Sequence, residues 1–400
     1  MEEILLNDDS IVIGKKDNVL LVAKDKSNKN GAFSKAFLAD KNGNILSNVD
    51  SIISFYKRNN WESVNKPYGE VKNKADSFIR SVIYGYAVGD AFGVPYEFLP
   101  RTEIAAKITG EMVGYGSHNV PVGAWSDDTS MVLATMDSIT KKKGIDYEDM
   151  MQRFISWAYL NYYCSLNESF GIGQIVLKAM KKSVAGEQAL KCGCGGILDN
   201  GNGSLMRILP VSMCCLLSKL DENQIVEIIN NTSAITHSND ISKMSCYIYT
   251  LLFTKLANGE TLTDALSELK NVDYSKYYSP DAIQAHRRIL TGEILTLSDE
   301  KIMESGYVVD SLETVIYSLL KTNSYRDAII KCVGMGYDTD TNAALTGALA
   351  VEIYGYQSIP KEWIDKLLKK ALIDGIIDRF INYLDTIKKT DEEIVSQRKI

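Results

Sequence analysis

Apolar positions recur at helical spacing through most of the chain and at strand spacing only near its start. Between Ala75 and Val88, the residues Phe78, Val82, Ile83, Tyr86 and Ala87 fall on one helical face. Gly85 and Gly89 add small spots suited to close packing. The same period predicts helices over Met131–Ile139, Met150–Tyr162, Gly173–Ser183, Ile208–Leu220, Ile241–Ala257 and Leu262–Leu269. It continues over Val309–Leu320, Tyr325–Val333, Ala343–Ile353, Lys361–Leu372 and Ile376–Lys388. No strand, glycine-rich turn and helix follow one another, which excludes a P-loop and a dinucleotide-binding fingerprint. The expectation is a mainly α protein with one large all-α domain over residues 72–388.

Residues 1–66 read differently. Ser10–Gly14 and Val19–Ala23 are short β-like runs parted by a polar turn, and Asn42-Gly43 is a hairpin signal. Ser51–Tyr56 suits a short helix. A small N-terminal α+β or β appendage without a chemical motif is expected, with Pro67-Tyr68-Gly69 as its boundary. Residues 389–400 read as a charged tail.

Composition narrows the class. A hydrophobic share of 45% over 400 residues is enough for a large core. A formal net charge of −7 argues against nucleic acid or an anionic membrane held by general charge. The acidic start, Met-Glu-Glu-Ile-Leu-Leu-Asn-Asp-Asp, lacks the basic region of a signal peptide, and no apolar run is long enough to span a bilayer. Seven scattered cysteines suit reduced thiols, so a cytoplasmic protein is expected. Cys192-Gly193-Cys194 has no second Cys or His pair at useful spacing, and with three histidines zinc chemistry is disfavoured.

Chemistry concentrates in two acidic clusters, Trp125-Ser126-Asp127-Asp128-Thr129 and Gly336-Tyr337-Asp338-Thr339-Asp340-Thr341. Each precedes an apolar helical run. Read singly, such residues are ordinary helix caps. A cap needs one oxygen, however, and both clusters carry more carboxylate than that. Four carboxylates brought together would need cations, and oxygen-only donors favour Mg²⁺, Mn²⁺ or Ca²⁺. Three further segments carry candidate residues. Gly89-Asp90-Ala91-Phe92-Gly93-Val94-Pro95-Tyr96-Glu97-Phe98 reads as a shaped loop. Within it Asp90 suits a helix cap, and Glu97, between two aromatic residues, is either solvated or a proton-transfer acid. Gly201-Asn202-Gly203-Ser204, with Arg207 close behind, leads into a helix and suits phosphate or an ordinary turn. Thr236-His237-Ser238 precedes another helix, where His237 is a ligand contact or a cap residue.

Taken in order, these segments resemble the ADP-ribosylglycohydrolase family, including its dinitrogenase-reductase-activating members. The resemblance rests on Gly89-Asp90-Ala91-Phe92-Gly93 with Glu97, Trp125–Thr129, Gly201–Ser204 with Met206-Arg207, Thr236-His237-Ser238 and Asp338–Thr341. Gly306–Glu313 and Ile359–Trp363 add to it. It covers about residues 74 to 375 and leaves the first seventy uncovered. It implies an orthogonal all-α fold and two adjacent Mg²⁺ ions, with Mn²⁺ able to substitute. The implied ligands are Ser126, Asp127, Asp128, Asp338, Asp340 and Thr341. The implied reaction is hydrolysis of the glycosidic bond at the distal ribose of an ADP-ribosylated protein or small-molecule conjugate. Glu97 is the candidate for proton transfer or for gating the metal site, and Asp340 for positioning water. Gly201, Asn202, Gly203, Ser204 and His237 are candidates for holding the ADP-ribose. Tyr337 departs from the family pattern, where a second glycine is usual. The alternatives are a non-catalytic ADP-ribose-binding or structural protein on the same fold, and a dinuclear phosphoesterase.

Overall fold

The computed structural model describes backbone for residues 10–16, 19–24, 35–40, 45–47 and 74–397, and side chains for residues 78–385. Four strands near the start, β1 (Ser10–Lys16), β2 (Val19–Lys24), β3 (Lys35–Asp40) and β4 (Ile45–Ser47), pair antiparallel in sequence order. The expected helix at Ser51–Tyr56 and the boundary at Pro67 lie outside the described residues. From Lys74 onward the chain is helical.

The fold is organised around α1 (Lys74–Gly93), and α2 (Arg101–Lys107) follows it. After α3 (Asp127–Lys142), α4 (Tyr147–Leu160) and α5 (Gln174–Val184) come α6 (Leu209–Leu217), α7 (Glu222–Ala234), α8 (Asp240–Ala257) and α9 (Leu262–Leu269). The chain then adds α10 (Val308–Leu320), α11 (Tyr325–Gly334), α12 (Thr339–Tyr354), α13 (Lys361–Lys366) and α14 (Lys370–Gln397).

Helices α1 and α12 run antiparallel with their backbones in contact. A Cβ on Gly85 would lie 2.6 Å from the Gly347 carbonyl oxygen, one on Gly89 2.1 Å from that of Ala343, and one on Gly93 2.3 Å from that of Thr339. The positions step by four on both helices, so one row of small residues faces another. The Thr339 hydroxyl donates to the Gly93 carbonyl at 2.8 Å, and the Tyr325 hydroxyl to that of Gly85 at 2.6 Å. The core around this pair includes the fully buried Trp125, Trp157 and Trp363.

Sequence periodicity located most helices within a few residues, with two informative differences. Helix α7 was not expected, because Ile225-Val226-Glu227-Ile228-Ile229 and the Asn-Asn-Thr-Ser run after it carry poor helix formers. A capping box settles it: Asp221 accepts from the Gln224 amide, and Gln224 accepts in turn from the Asp221 amide, both at 3.0 Å. The single helix expected over Lys361–Leu372 is instead broken between α13 and α14, with Lys369 in the left-handed region at φ +46°. The break serves the segment before α3. The Leu368 amide donates to the Gly123 carbonyl at 3.0 Å, and the Trp125 indole N–H donates to the Leu368 carbonyl at 3.1 Å.

Two predictions follow from this packing. Gly89→Ala should lower Tm by about 5 °C or more, since its methyl group meets backbone that cannot retreat; thermal unfolding checks this. Glu352 on α12 has its carboxyl pushed up to about 7 by burial. An acid held neutral in the folded state binds more protons there than in the unfolded chain. Its contribution therefore opposes folding increasingly as pH rises from about 4.3 through 7. Glu352→Gln should raise Tm by a few degrees at pH 8 and leave it unchanged at pH 4.

Candidate active site

The two acidic clusters, more than two hundred residues apart in sequence, meet directly. The Thr341 hydroxyl donates to Asp128 Oδ2 at 3.2 Å, and the Ser126 hydroxyl donates to the same oxygen at 3.1 Å. On the other Asp128 oxygen, the Tyr86 hydroxyl from α1 stands at 3.3 Å. Asp127, Asp128, Asp338, Asp340 and Thr341 line one cleft of about 350 Å³ together with Glu97, Gly201, Asn202, Gly203 and His237. Ser126 caps α3 beside it, accepting from the Asp128 amide at 3.3 Å.

Helix geometry explains how the carboxylates converge. The close approach of α1 and α12 brings the end of α1 against the start of α12. Asp90 then reaches across from α1 to the start of α3. It accepts from the Ser126 and Thr129 amides at 3.0 Å and from the Thr129 hydroxyl at 2.6 Å. Asp90 is thus a helix cap, as its sequence suggested, but for another helix than its own. Gly171, at φ +86°, passes so near Asp127 that a Cβ there would lie 2.3 Å from Asp127 Oδ1.

Burial sets the electrostatics. Glu97, Asp127, Asp128 and Asp340 are held well above the usual carboxylate range, first by loss of water and then by one another's charge. Asp90 and Asp338 are raised for the same first reason, moderated by the hydrogen bonds they accept. Among the described residues no Lys or Arg forms an ion pair with Asp127, Asp128, Asp338 or Asp340. Hard oxygen donors that are buried, mutually repelling and without a protein cation fit a divalent ion.

Glu97 is buried, not solvated. It contacts His118, a residue the sequence reading passed over. The Gly114–Asn119 stretch carries His118 to Glu97 because Gly116 packs on Pro95, where a Cβ would sit 1.9 Å from the carbonyl oxygen, and the Ser117 amide bonds that same oxygen at 3.0 Å. The glycines of this stretch were the available signal. Ligand atoms of Glu97, His118 and Asp340 lie within 4.8 Å of one another, a trio able to hold a metal and not one grouped from sequence. Burial lowers the His118 pKa, keeping the ring neutral and available as a ligand.

The candidate ligand loop divides. Asn202 Nδ2 donates to Asp338 Oδ2 and to the Ser311 hydroxyl, both at 2.8 Å. Backbone bonds on both sides hold the loop, from the Asn202 amide to the Gly306 carbonyl at 3.2 Å and from the Val308 amide to the Asn200 carbonyl at 3.0 Å. Ser204 faces the core instead, accepting from the Ser233 hydroxyl at 2.9 Å. Arg207 does not reach the cleft. It is fully buried behind the loop, donating to the Gly203 and Thr232 carbonyls at 2.5 and 3.0 Å, with Phe154 under its guanidinium. His237 lines the cleft with Nδ1 paired to the Thr236 hydroxyl at 2.8 Å. Burial and the Arg207 charge push its pKa down to about 3, so it is a neutral hydrogen-bonding group.

Residues 72–390 match the ADP-ribosylglycohydrolase family model. The chain belongs to the ADP-ribosylglycohydrolase family. Among curated relatives it is 29% identical to the ADP-ribosylarginine hydrolase Tri1 of Serratia proteamaculans (strain 568), over 78% of this chain and 80% of the relative. It is 27% identical to the ADP-ribosyl-[dinitrogen reductase] glycohydrolase of Rhodospirillum rubrum, over 72% of this chain and 89% of that one. A solved structure described as an ADP-ribosylglycohydrolase-related protein complex superposes with a TM-score of 0.63 at 23% identity. The match covers 78% of this chain and 99% of the solved one, and it supports the shared fold. The chain is therefore a glycohydrolase built on the family's helical fold. No described helix is long and apolar enough to cross a membrane.

The crowded carboxylates generate a prediction about the metal-free protein. Asp128→Asn removes one repelling charge and should raise the Tm measured in chelator by a few degrees. Wild-type protein in millimolar Mg²⁺ should gain stability, about 2.7 kcal/mol if the ion is at a hundred times its Kd. The variant should lose most of that gain. A wild-type Tm insensitive to Mg²⁺ and Mn²⁺ would reject a cation site here.

Proposed function

We propose that this glycohydrolase uses two Mg²⁺ ions, replaceable by Mn²⁺, to hydrolyse the glycosidic bond between the distal ribose of ADP-ribose and a modified side chain. The observation that carries the proposal is the bond from Thr341 to Asp128, which joins the two acidic clusters in one buried cleft. Ser126, Asp127, Asp128, Asp338, Asp340 and Thr341 hold the ions, with Glu97 and His118 beside them. Bound there, the ions would supply Lewis acidity and a template for the ribose hydroxyls.

The remaining chemistry belongs to side chains. Glu97, whose proton affinity is raised by burial, moves the proton exchanged with the leaving group. Asp340, steadied by the Thr341 amide at 2.9 Å from its Oδ1, orients the attacking water. The charge that develops at the anomeric carbon is cationic. Gly201 and Gly203 receive the diphosphate and proximal ribose, Asn202 ties this loop to Asp338 through its side chain, and His237 adds a neutral hydrogen bond. Ser204 supports the loop from behind.

The catalytic unit spans residues 72–388, with 1–66 as an appended module and 389–400 as its tail. The substrate is an ADP-ribosylated protein. A modified arginine is favoured because the Serratia relative's name specifies one. A non-catalytic reader on this fold would not need a full set of six metal-site oxygen donors.

Purified protein with Mg²⁺, given a panel of ADP-ribosylated peptides, should release free ADP-ribose. Asp127→Ala and Asp340→Ala should lower kcat by about a thousandfold or more, and Glu97→Gln by about a hundredfold, as expected for loss of a proton-transfer group. Full turnover by Asp127→Ala in the presence of chelator would reject the metal-dependent mechanism. Cleavage of phosphate esters without ADP-ribose release would favour a phosphoesterase.

A further inference from the structure

Two large aromatic side chains stand exposed at the lip of the cleft, Phe98 at 57% and Tyr337 at 44% of their full accessible surface. Both line the cleft. Both also hold left-handed backbone conformations, φ +65° and +64°, which bulky L-residues rarely adopt. The strain is locked in by reciprocal backbone bonds, from the Phe98 amide to the Tyr337 carbonyl at 2.6 Å and from the Tyr337 amide to the Leu99 carbonyl at 2.9 Å. Their rings lie 6.2 Å apart at 81°, so they form a corner instead of a sandwich. Phe98 extends the aromatic surface to His118 at 5.8 Å, and His118 to Phe170 at 5.2 Å. Strain kept at exposed aromatic residues beside an active cleft points to a ligand contact.

The neighbours decide which ligand. Phe98 directly follows Glu97, the residue assigned to the leaving-group proton, and Tyr337 directly precedes Asp338, so the corner borders the leaving-group end of the cleft. The diphosphate is already assigned to the Gly201–Gly203 loop. A flat cation is attracted by the ring faces. A glycosylated guanidinium keeps its positive charge and its planarity.

We propose that the Phe98–Tyr337 corner is the leaving-group subsite, where the guanidinium of an ADP-ribosylated arginine stacks, and that Tyr337 sets preference for that acceptor. The inference rests on the glycohydrolase reading of the cleft. Tyr337 acts on specificity and not on bond cleavage.

The test compares wild type with Tyr337→Gly and Tyr337→Phe. Tyr337→Gly suits the left-handed backbone, so it should fold with a Tm no lower than wild type. Its KM for an ADP-ribosyl-arginine peptide should rise about tenfold with kcat within twofold. Tyr337→Phe, which keeps the ring, should retain wild-type KM. Inhibition by free ADP-ribose should be equal in all three proteins. If Tyr337→Gly weakens ADP-ribose as much as it weakens the arginine peptide, the corner is an adenine platform and the proposal is overturned. An unchanged KM overturns it too. Calorimetric titration with agmatine, a free guanidinium compound, separates this inference from the reading beneath it. If wild type releases no ADP-ribose from the peptide, the hydrolase assignment for arginine fails. Agmatine binding to wild type that is lost in Tyr337→Gly would then still support the subsite, and no binding to wild type would overturn it.

Discussion

Backbone contact between α1 and α12 is the constraint on which the site depends. Carbonyl oxygens of one helix occupy the space where side chains of the other would stand. At Gly89 and Gly93 backbone meets backbone directly, so side-chain adjustment cannot absorb a shift of one helix against the other there. Rigid-body precision of this kind is what a multidentate oxygen site needs, because ligand atoms displaced by half an ångström bind a cation poorly. Asp90, Tyr86 and the start of α12 inherit their positions from this contact.

The site so positioned is electrostatically expensive. Buried acids raise one another's proton affinity, and among the described residues Asp127, Asp128 and Asp340 receive hydroxyl and amide contacts but no Lys or Arg. Elsewhere the same fold neutralises buried acid conventionally. Asp137 receives Arg153 at 2.5 Å, Arg379 at 3.0 Å and the Tyr163 hydroxyl at 2.9 Å. The contrast is between Asp137, which is paired with two arginines, and Asp128, which has no Lys or Arg partner among the described residues.

Much of this was legible in the sequence for identifiable reasons. Helical periodicity is local, so it revealed α1, α8, α9 and α10 closely. The glycines at 85 and 89 announced close packing, though not their partner helix. The acidic clusters declared themselves by carrying more carboxylate than a cap requires. What stayed hidden was long-range. His118 looked like any loop histidine until Gly116 brought it to Glu97. Arg207 beside a glycine-rich loop suggested an anion site, yet it points inward to hold carbonyls. The break at 367–369 had no local signal, because its cause is Trp125, more than two hundred residues earlier. Ser204, next to pocket residues in sequence, turns to the core because successive side chains of the 3₁₀ turn Asn202–Ser204 point about 120° apart.

That break also fixes an order of events during synthesis. The segment carrying Ser126, Asp127 and Asp128 is fastened through Trp125 to the Leu368 carbonyl, a partner 243 positions downstream. At roughly 5–20 residues per second, a ribosome needs about 12–50 s to add that stretch. The nascent chain thus carries its acidic cluster for that interval without the clasp that orients it, and a competent cleft is a late product of translation.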